Sequence, residues 1–149
     1  FPESFTKFGT PGKYDLEVNY ADSIAYTDYV LEQIFNYAKD KLNLQAMVYF
    51  SDHATVPDKR RSPNFEGLAS VRIPFFTYFS DEYISQHKEV SATLKKHANL
   101  YWTNDLAYEL LCSIFDIKSN RFDEANSLAS EKFKYNREDL RTNCGQSKI

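Results

Sequence analysis

Apolar or part-apolar positions recur at three- and four-residue steps from Ile24 through Thr27, Leu31, Ile34 and Ala38 to Leu42. That is one face of an amphipathic helix, and it predicts a helix over residues 20–42, with Asn43 as its stop. The pattern then changes. Ala46-Met47-Val48-Tyr49-Phe50 is apolar without alternation, as in a strand covered on both faces, and such strands are mostly parallel ones in α/β sheets. Helix, short connection and buried strand make half of a βαβ unit. A second strand is expected over 71–79. Pro74 has no N–H to give to a ladder, so this strand is an edge or begins pairing only after the proline. Ser80 is placed to cap a short helix starting at Asp81-Glu82, and another helix is expected over 89–97. Thr103 stands before a last helix over 104–115, striped by Leu106, Leu110 and Ile114. Residues 1–18, which contain Gly9-Thr10-Pro11-Gly12, read as an irregular lead-in. Residues 116–149 are mostly polar and are expected to wrap the surface with little regular structure.

Composition narrows the class. A chain of 149 residues is about one domain, and 42% hydrophobic with 16% aromatic residues is enough for a packed core, which argues against a disordered chain. The net charge is −3, and the basic residues are scattered apart from Lys59-Arg60-Arg61. Composition therefore offers no basic face for nucleic acid. The longest apolar run, residues 46–50, is far too short to cross a bilayer. Neither a CxxC pair nor a Cys/His cluster exists, which excludes a structural zinc module. Cys112 reads as a buried free thiol and Cys144 as an incidental tail thiol. The predicted architecture is α/β, with two strands and three or four flanking helices. A two-stranded sheet with one strand buried on both faces cannot satisfy its own edges. The missing strands are therefore expected upstream of Phe1, in a longer product of which this chain is one portion.

In open α/β sheets, ligands bind beyond the carboxyl ends of the strands. Ser51-Asp52-His53 stands at that position, directly after the apolar run. A carboxylate beside an imidazole offers an oxygen and a nitrogen to a divalent cation, and zinc accepts both. Taken alone, the pair reads more often as a turn cap followed by a polar loop residue. Lys59, Arg60 and Arg61 offer donors to a phosphate or anionic head group, although a solvated loop is the plainer reading. His87 and His97, beside Lys88, Lys95 and Lys96, read as surface residues. Tyr101-Trp102 reads as packing at a helix start, and Phe75-Phe76 as core.

The flanking sequence raises the Asp-His pair above the plain reading. Tyr20-Ala21-Asp22-Ser23-Ile24-Ala25-Tyr26-Thr27-Asp28, followed by Val48-Tyr49-Phe50-Ser51-Asp52-His53, resembles the phosphoethanolamine transferase branch of the alkaline phosphatase and sulfatase superfamily. There a Y-D-N-S-x-x-Y-T-D helix leads to a strand ending in S-D-H-G. Val71-Arg72-Ile73-Pro74 through Ser80 is similar to that branch's V-R-x-P-x-x-x-Y-x-S strand, and Thr103-Asn104-Asp105-Leu106 onward is similar to its late helix. Phe1-Pro2-Glu3-Ser4-Phe5 resembles the segment just after its substrate-site histidine motif. The resemblance spans nearly the whole chain.

It implies a partial alkaline-phosphatase-like α/β/α sandwich, with residues 1–149 as the C-terminal portion of a sulfatase-like catalytic domain. It also implies zinc held by Asp52 and His53, a threonine nucleophile in the upstream half, and transfer of phosphoethanolamine from a phospholipid donor to a lipid or glycan acceptor. A missing N-terminal membrane anchor would place the domain outside the cytoplasm, periplasmic or extracellular. No threonine of this chain sits in the nucleophile motif, so the portion alone is expected to be inactive and to bind metal weakly. Three departures point the other way, towards a non-catalytic sulfatase-like binding module with a decayed site. The branch's glycine after Asp-His is Ala54, its next glutamate is Thr55, and the histidine expected about a dozen residues on, facing the phosphate, is absent between positions 54 and 70.

Overall fold

A computed structural model describes residues 1–9, 15–57, 71–142 and 147–148. The chain divides into two compact units, Phe1–Leu44 with His53–Arg72, and Gln45–Asp52 with Ile73–Ile149.

The first unit is built on α1, Leu16–Leu42. It starts four residues earlier than the apolar period implies because Asp15 caps it. The Asp15 carboxylate accepts from the Val18 amide at 3.0 Å, and Glu17 lies in the positively polarised first turn. The helix ends where predicted. Asn43 takes the left-handed conformation at φ 52°, and the Leu44 amide turns back to the Ala38 carbonyl. The lead-in packs on the side of α1 that carries Asp22, Ala25 and Tyr26. Phe5 sets its ring edge against Tyr26 at 5.2 Å, and the Phe8 amide donates to Asp22 Oδ1 at 2.8 Å. The side chains buried in α1 are therefore Asp22 and Ala25. The apolar face read from the sequence is largely open: Ile24 is 48%, Ile34 52% and Leu42 66% exposed.

In the second unit, β1 (Ala46–Phe50) pairs with β2 (Phe75–Phe79), and the pairing is antiparallel. The parallel expectation fails here. Two apolar faces, which the continuous run does encode, are compatible with either direction. In the observed register, Ala46 faces Phe79, Val48 faces Thr77 and Phe50 faces Phe75. Ala46, Val48, Phe75 and Phe79 lie against the core, while Tyr49 stacks on Phe76 at 5.2 Å on the other face. Phe75 is thus a core residue as expected, and Phe76, 43% exposed, is not. β2 begins immediately after Pro74, as the missing N–H requires.

Ser80 caps α2, Asp81–Gln86, by accepting from the Tyr83 amide at 3.0 Å. α3 (Lys88–Lys96) follows. The last helical stretch is a 3₁₀ turn, Asn104–Leu106, running into α4, Ala107–Ile114. Thr103 precedes the turn but makes no side-chain cap bond. Leu110 and Ile114 are fully buried and, with Tyr83, Leu94, Leu128 and Ala129, form the core.

Leu128 and Ala129 belong to the segment expected to lie on the surface. That expectation is corrected. Ser127–Ser130 is buried, and its polar groups are satisfied locally: Ser127 Oγ shares a 2.7 Å hydrogen bond with Ser113 Oγ, and the Leu128 carbonyl is met by His97. Leu128 and Ala129 join Leu94, Leu110 and Ile114 in the core, with the small Ser127 and Ser130 on either side. The rest of the tail carries short 3₁₀ turns at Glu124–Asn126 and Arg137–Asp139.

Two predictions follow from this packing. Leu110→Ala should cost about 2–5 kcal/mol, whereas Ile34→Ala should stay within about 0.5 kcal/mol in this chain; urea unfolding of both variants checks the contrast, and equal losses would contradict it. Tyr83 donates its hydroxyl to the Ile114 carbonyl at 2.5 Å, and burial first, then the Asp116 charge, raises its pKa above 10.0. A raised folded pKa favours the protonated form in the folded chain, so its contribution is intact below 10 and is lost as pH rises through the raised value. Alkaline melts should show that loss in the wild type and not in Tyr83→Phe.

Candidate functional site

β1 ends at Phe50, and the chain leaves the sheet through Ser51 and Asp52. Asp52 belongs to the second unit and His53 to the first, so each is described in its own setting. Asp52 is exposed, and Ser51 Oγ lies 3.4 Å from its Oδ1. Its main-chain carbonyl accepts a 2.8 Å hydrogen bond from Asn104 Nδ2. His53 is half-buried, with Nδ1 2.9 Å from the Ala54 carbonyl. The tautomer that donates from Nδ1 leaves the lone pair on Nε2. A backbone carbonyl holding one ring nitrogen while the other ligates is how metal-binding histidines are commonly fixed. In kind, then, the donors suit zinc: one carboxylate and one imidazole with its second nitrogen directed to a carbonyl. They are two, and among the described residues no group of three or more His, Cys, Asp or Glu side chains gathers to complete a site.

The other candidates resolve differently. Lys59, Arg60 and Arg61, and Cys144, lie outside the described residues. Cys112 is a buried free thiol, as expected. His97 is not a surface residue: it is 8% exposed and its Nδ1 lies 2.9 Å from the Leu128 carbonyl. Its neighbours Lys95 and Lys96 masked this, because helical spacing places 97 with the buried Thr93 and Leu94 rather than with the lysines. His87 is half-buried and stacks on Tyr83 at 4.4 Å. Trp102 packs as read, stacked on Phe75 at 4.7 Å and edge-on to Phe50 at 5.5 Å.

Two features were not singled out from the sequence. Asp22 is fully buried, with Oδ1 held by the Phe8 amide and Oδ2 without a partner among the described residues. Its only sequence signal is its place inside the Tyr20-to-Asp28 motif. In the same unit an open groove of about 680 Å³ runs between the lead-in and α1, lined in part by Phe5, Lys7, Asp28, Tyr29 and Glu32. Elsewhere the shifted carboxyls are surface ion pairs. The Lys96 ammonium hydrogen-bonded to Glu131 lowers that carboxyl's pKa, and Lys132 does the same for Glu124. Such exposed pairs contribute little.

Comparisons with known proteins place the chain in a family and a fold. A family model described as sulfatase matches residues 1–112. The fold is similar to the C-terminal periplasmic domain of phosphoethanolamine transferase EptC from Campylobacter jejuni, with a TM-score of 0.69 at 21% identity, covering 91% of this chain and 48% of that one. The likeness is one of fold, and this chain spans about half the length of that domain. No curated protein matches.

Two donors supply about half of a four-coordinate zinc shell. The 149-residue chain alone should therefore retain no stoichiometric zinc after dialysis; tight retention measured by atomic absorption would contradict this.

Proposed function

The chain belongs to the sulfatase family, and from that premise we propose that it is the C-terminal portion of a metal-dependent phosphoethanolamine transferase-like enzyme acting on lipid or glycan acceptors. The observation that carries the reading is Ser51-Asp52-His53 directly beyond β1 in a chain with the family's match over residues 1–112. Asp52 would supply a carboxylate oxygen and His53 its Nε2. When bound, zinc lowers the pKa of a hydroxyl nucleophile and offsets the charge of the phosphoryl oxygens. This chain's part is to hold two ligands in place; the nucleophile is assigned to the upstream half.

That half is also the proposed partner. The open apolar positions Ile24, Ile34 and Leu42 on α1, and a β1–β2 sheet of only two strands among the described residues, support a covering layer and further strands. The periplasmic setting of the EptC domain supports an extracytoplasmic location. Among the described residues no helix is long and apolar enough to cross a membrane; a membrane anchor is what the resemblance to phosphoethanolamine transferases implies for the whole protein.

A second reading is favoured by a specific observation. Ala54 and Thr55 stand where the resembling enzymes have glycine and glutamate, and no histidine occurs between 54 and 70. A sulfatase-like binding module with a decayed site would look like this.

Zinc content of the full-length protein separates the cases. Asp52→Ala combined with His53→Ala should drop zinc from stoichiometric to a small fraction, and an unchanged content contradicts the metal assignment. A wild type that holds zinc at these residues yet transfers nothing from phosphatidylethanolamine supports the second reading.

A further inference from the structure

The peptide that joins Asp52 to His53 lies outside any helix or strand, two residues beyond the last β1 pair. Its carbonyl is nevertheless held from far along the chain: Asn104 Nδ2 donates to the Asp52 oxygen at 2.8 Å across 52 residues of sequence. The donor is itself held on both sides. On the N-terminal side, Trp102 stacks on Phe75 and meets Phe50 edge-on, and these two phenylalanines are cross-strand partners at this end of the sheet. On the C-terminal side, Asn104 opens the 3₁₀ turn, with its own carbonyl accepting from the Ala107 amide and the Leu106 amide closing on Thr103. The amide of Asn104 makes no cap for that turn. It points outward, to the strand end.

We propose that Asn104 is a positioning residue for the cation site. By fixing one carbonyl it fixes the planar peptide from which both candidate ligands spring, so the exit directions at Asp52 and His53 are set before a metal arrives. The role needs an N–H donor on a short side chain anchored by the Trp102 contact. An apolar residue of similar size keeps the packing and frees the carbonyl. This inference rests on the metal-binding reading above.

Fixing the groups behind metal ligands is commonly worth about 10- to 100-fold in metal affinity. The test uses the full-length protein and its Asn104→Leu, Asn104→Ala and Asp52→Ala variants. Zinc affinity is read by competition with a chromophoric chelator, and melting temperature is measured with and without zinc. Asn104→Leu and Asn104→Ala should each bind zinc about 10- to 100-fold more weakly, and the rise in melting temperature on adding zinc should shrink accordingly. A purely structural Asn104 would lower the metal-free melting temperature and leave the zinc-induced rise unchanged, which overturns the proposal. Wild-type zinc affinity in both Asn104 variants, with zinc lost in Asp52→Ala, overturns it too and leaves the metal assignment standing. Zinc retained in Asp52→Ala removes the metal assignment, and this proposal with it.

Discussion

The antiparallel pairing of β1 with β2 is the constraint on which the second unit depends. Its register puts Ala46 and Val48 beside Phe75 and Phe79 on one face, and the fully buried Leu110 and Ile114 belong to the core packed against that face. The same register brings Phe50 opposite Phe75 at the end of the ladder, giving Trp102 two aromatic surfaces to seat on. That contact holds despite an indole N–H left buried and unpartnered among the described residues. From Trp102 the chain turns into Asn104, and from Asn104 a hydrogen bond reaches Asp52. A slip of one residue would turn every side chain of β1 to the other face and carry the Asp52 carbonyl away from its donor.

The first unit shows a different economy. α1 spans 27 residues, about 40 Å at 1.5 Å per residue, and buries little apolar side-chain area in what is described. Its lead-in covers the Asp22 and Ala25 side through Phe5 and the Phe8 amide, while the regular apolar face stays open. Such an amphipathic stripe gains its stability from tertiary packing rather than from helix propensity. An open stripe on α1 and an unextended two-stranded sheet are both what the proposed covering half would complete.

Much of this was legible in the sequence for physical reasons. The 3.6-residue period found α1, proline chemistry offered the start of β2 as one of two readings of a strand expected over 71–79, and hydroxyl capping found Ser80. The apolar run before a polar break found the strand end that carries Asp52. What failed did so for equally definite reasons. A two-sided apolar strand does not reveal its direction, so β1 was expected to be parallel. A histidine among lysines looks solvated, yet helical spacing buries His97 with Thr93 and Leu94. A single leucine between serines and an alanine at 127–130 looks like a loop, but Leu128 and Ala129 reach the core while the flanking serines satisfy their polar groups locally. The contact from Asn104 to Asp52 was beyond reach, because a sequence separation of 52 leaves no local pattern. The resemblance marked the Asp-His pair; the neighbourhood of each residue came only with the fold.

The most direct measurement of the central claim is anomalous diffraction at the zinc edge from crystals of the full-length protein grown with zinc. The account predicts a peak about 2.0–2.2 Å from a carboxylate oxygen of Asp52 and from a ring nitrogen of His53. A peak elsewhere, with neither residue among its ligands, would contradict it.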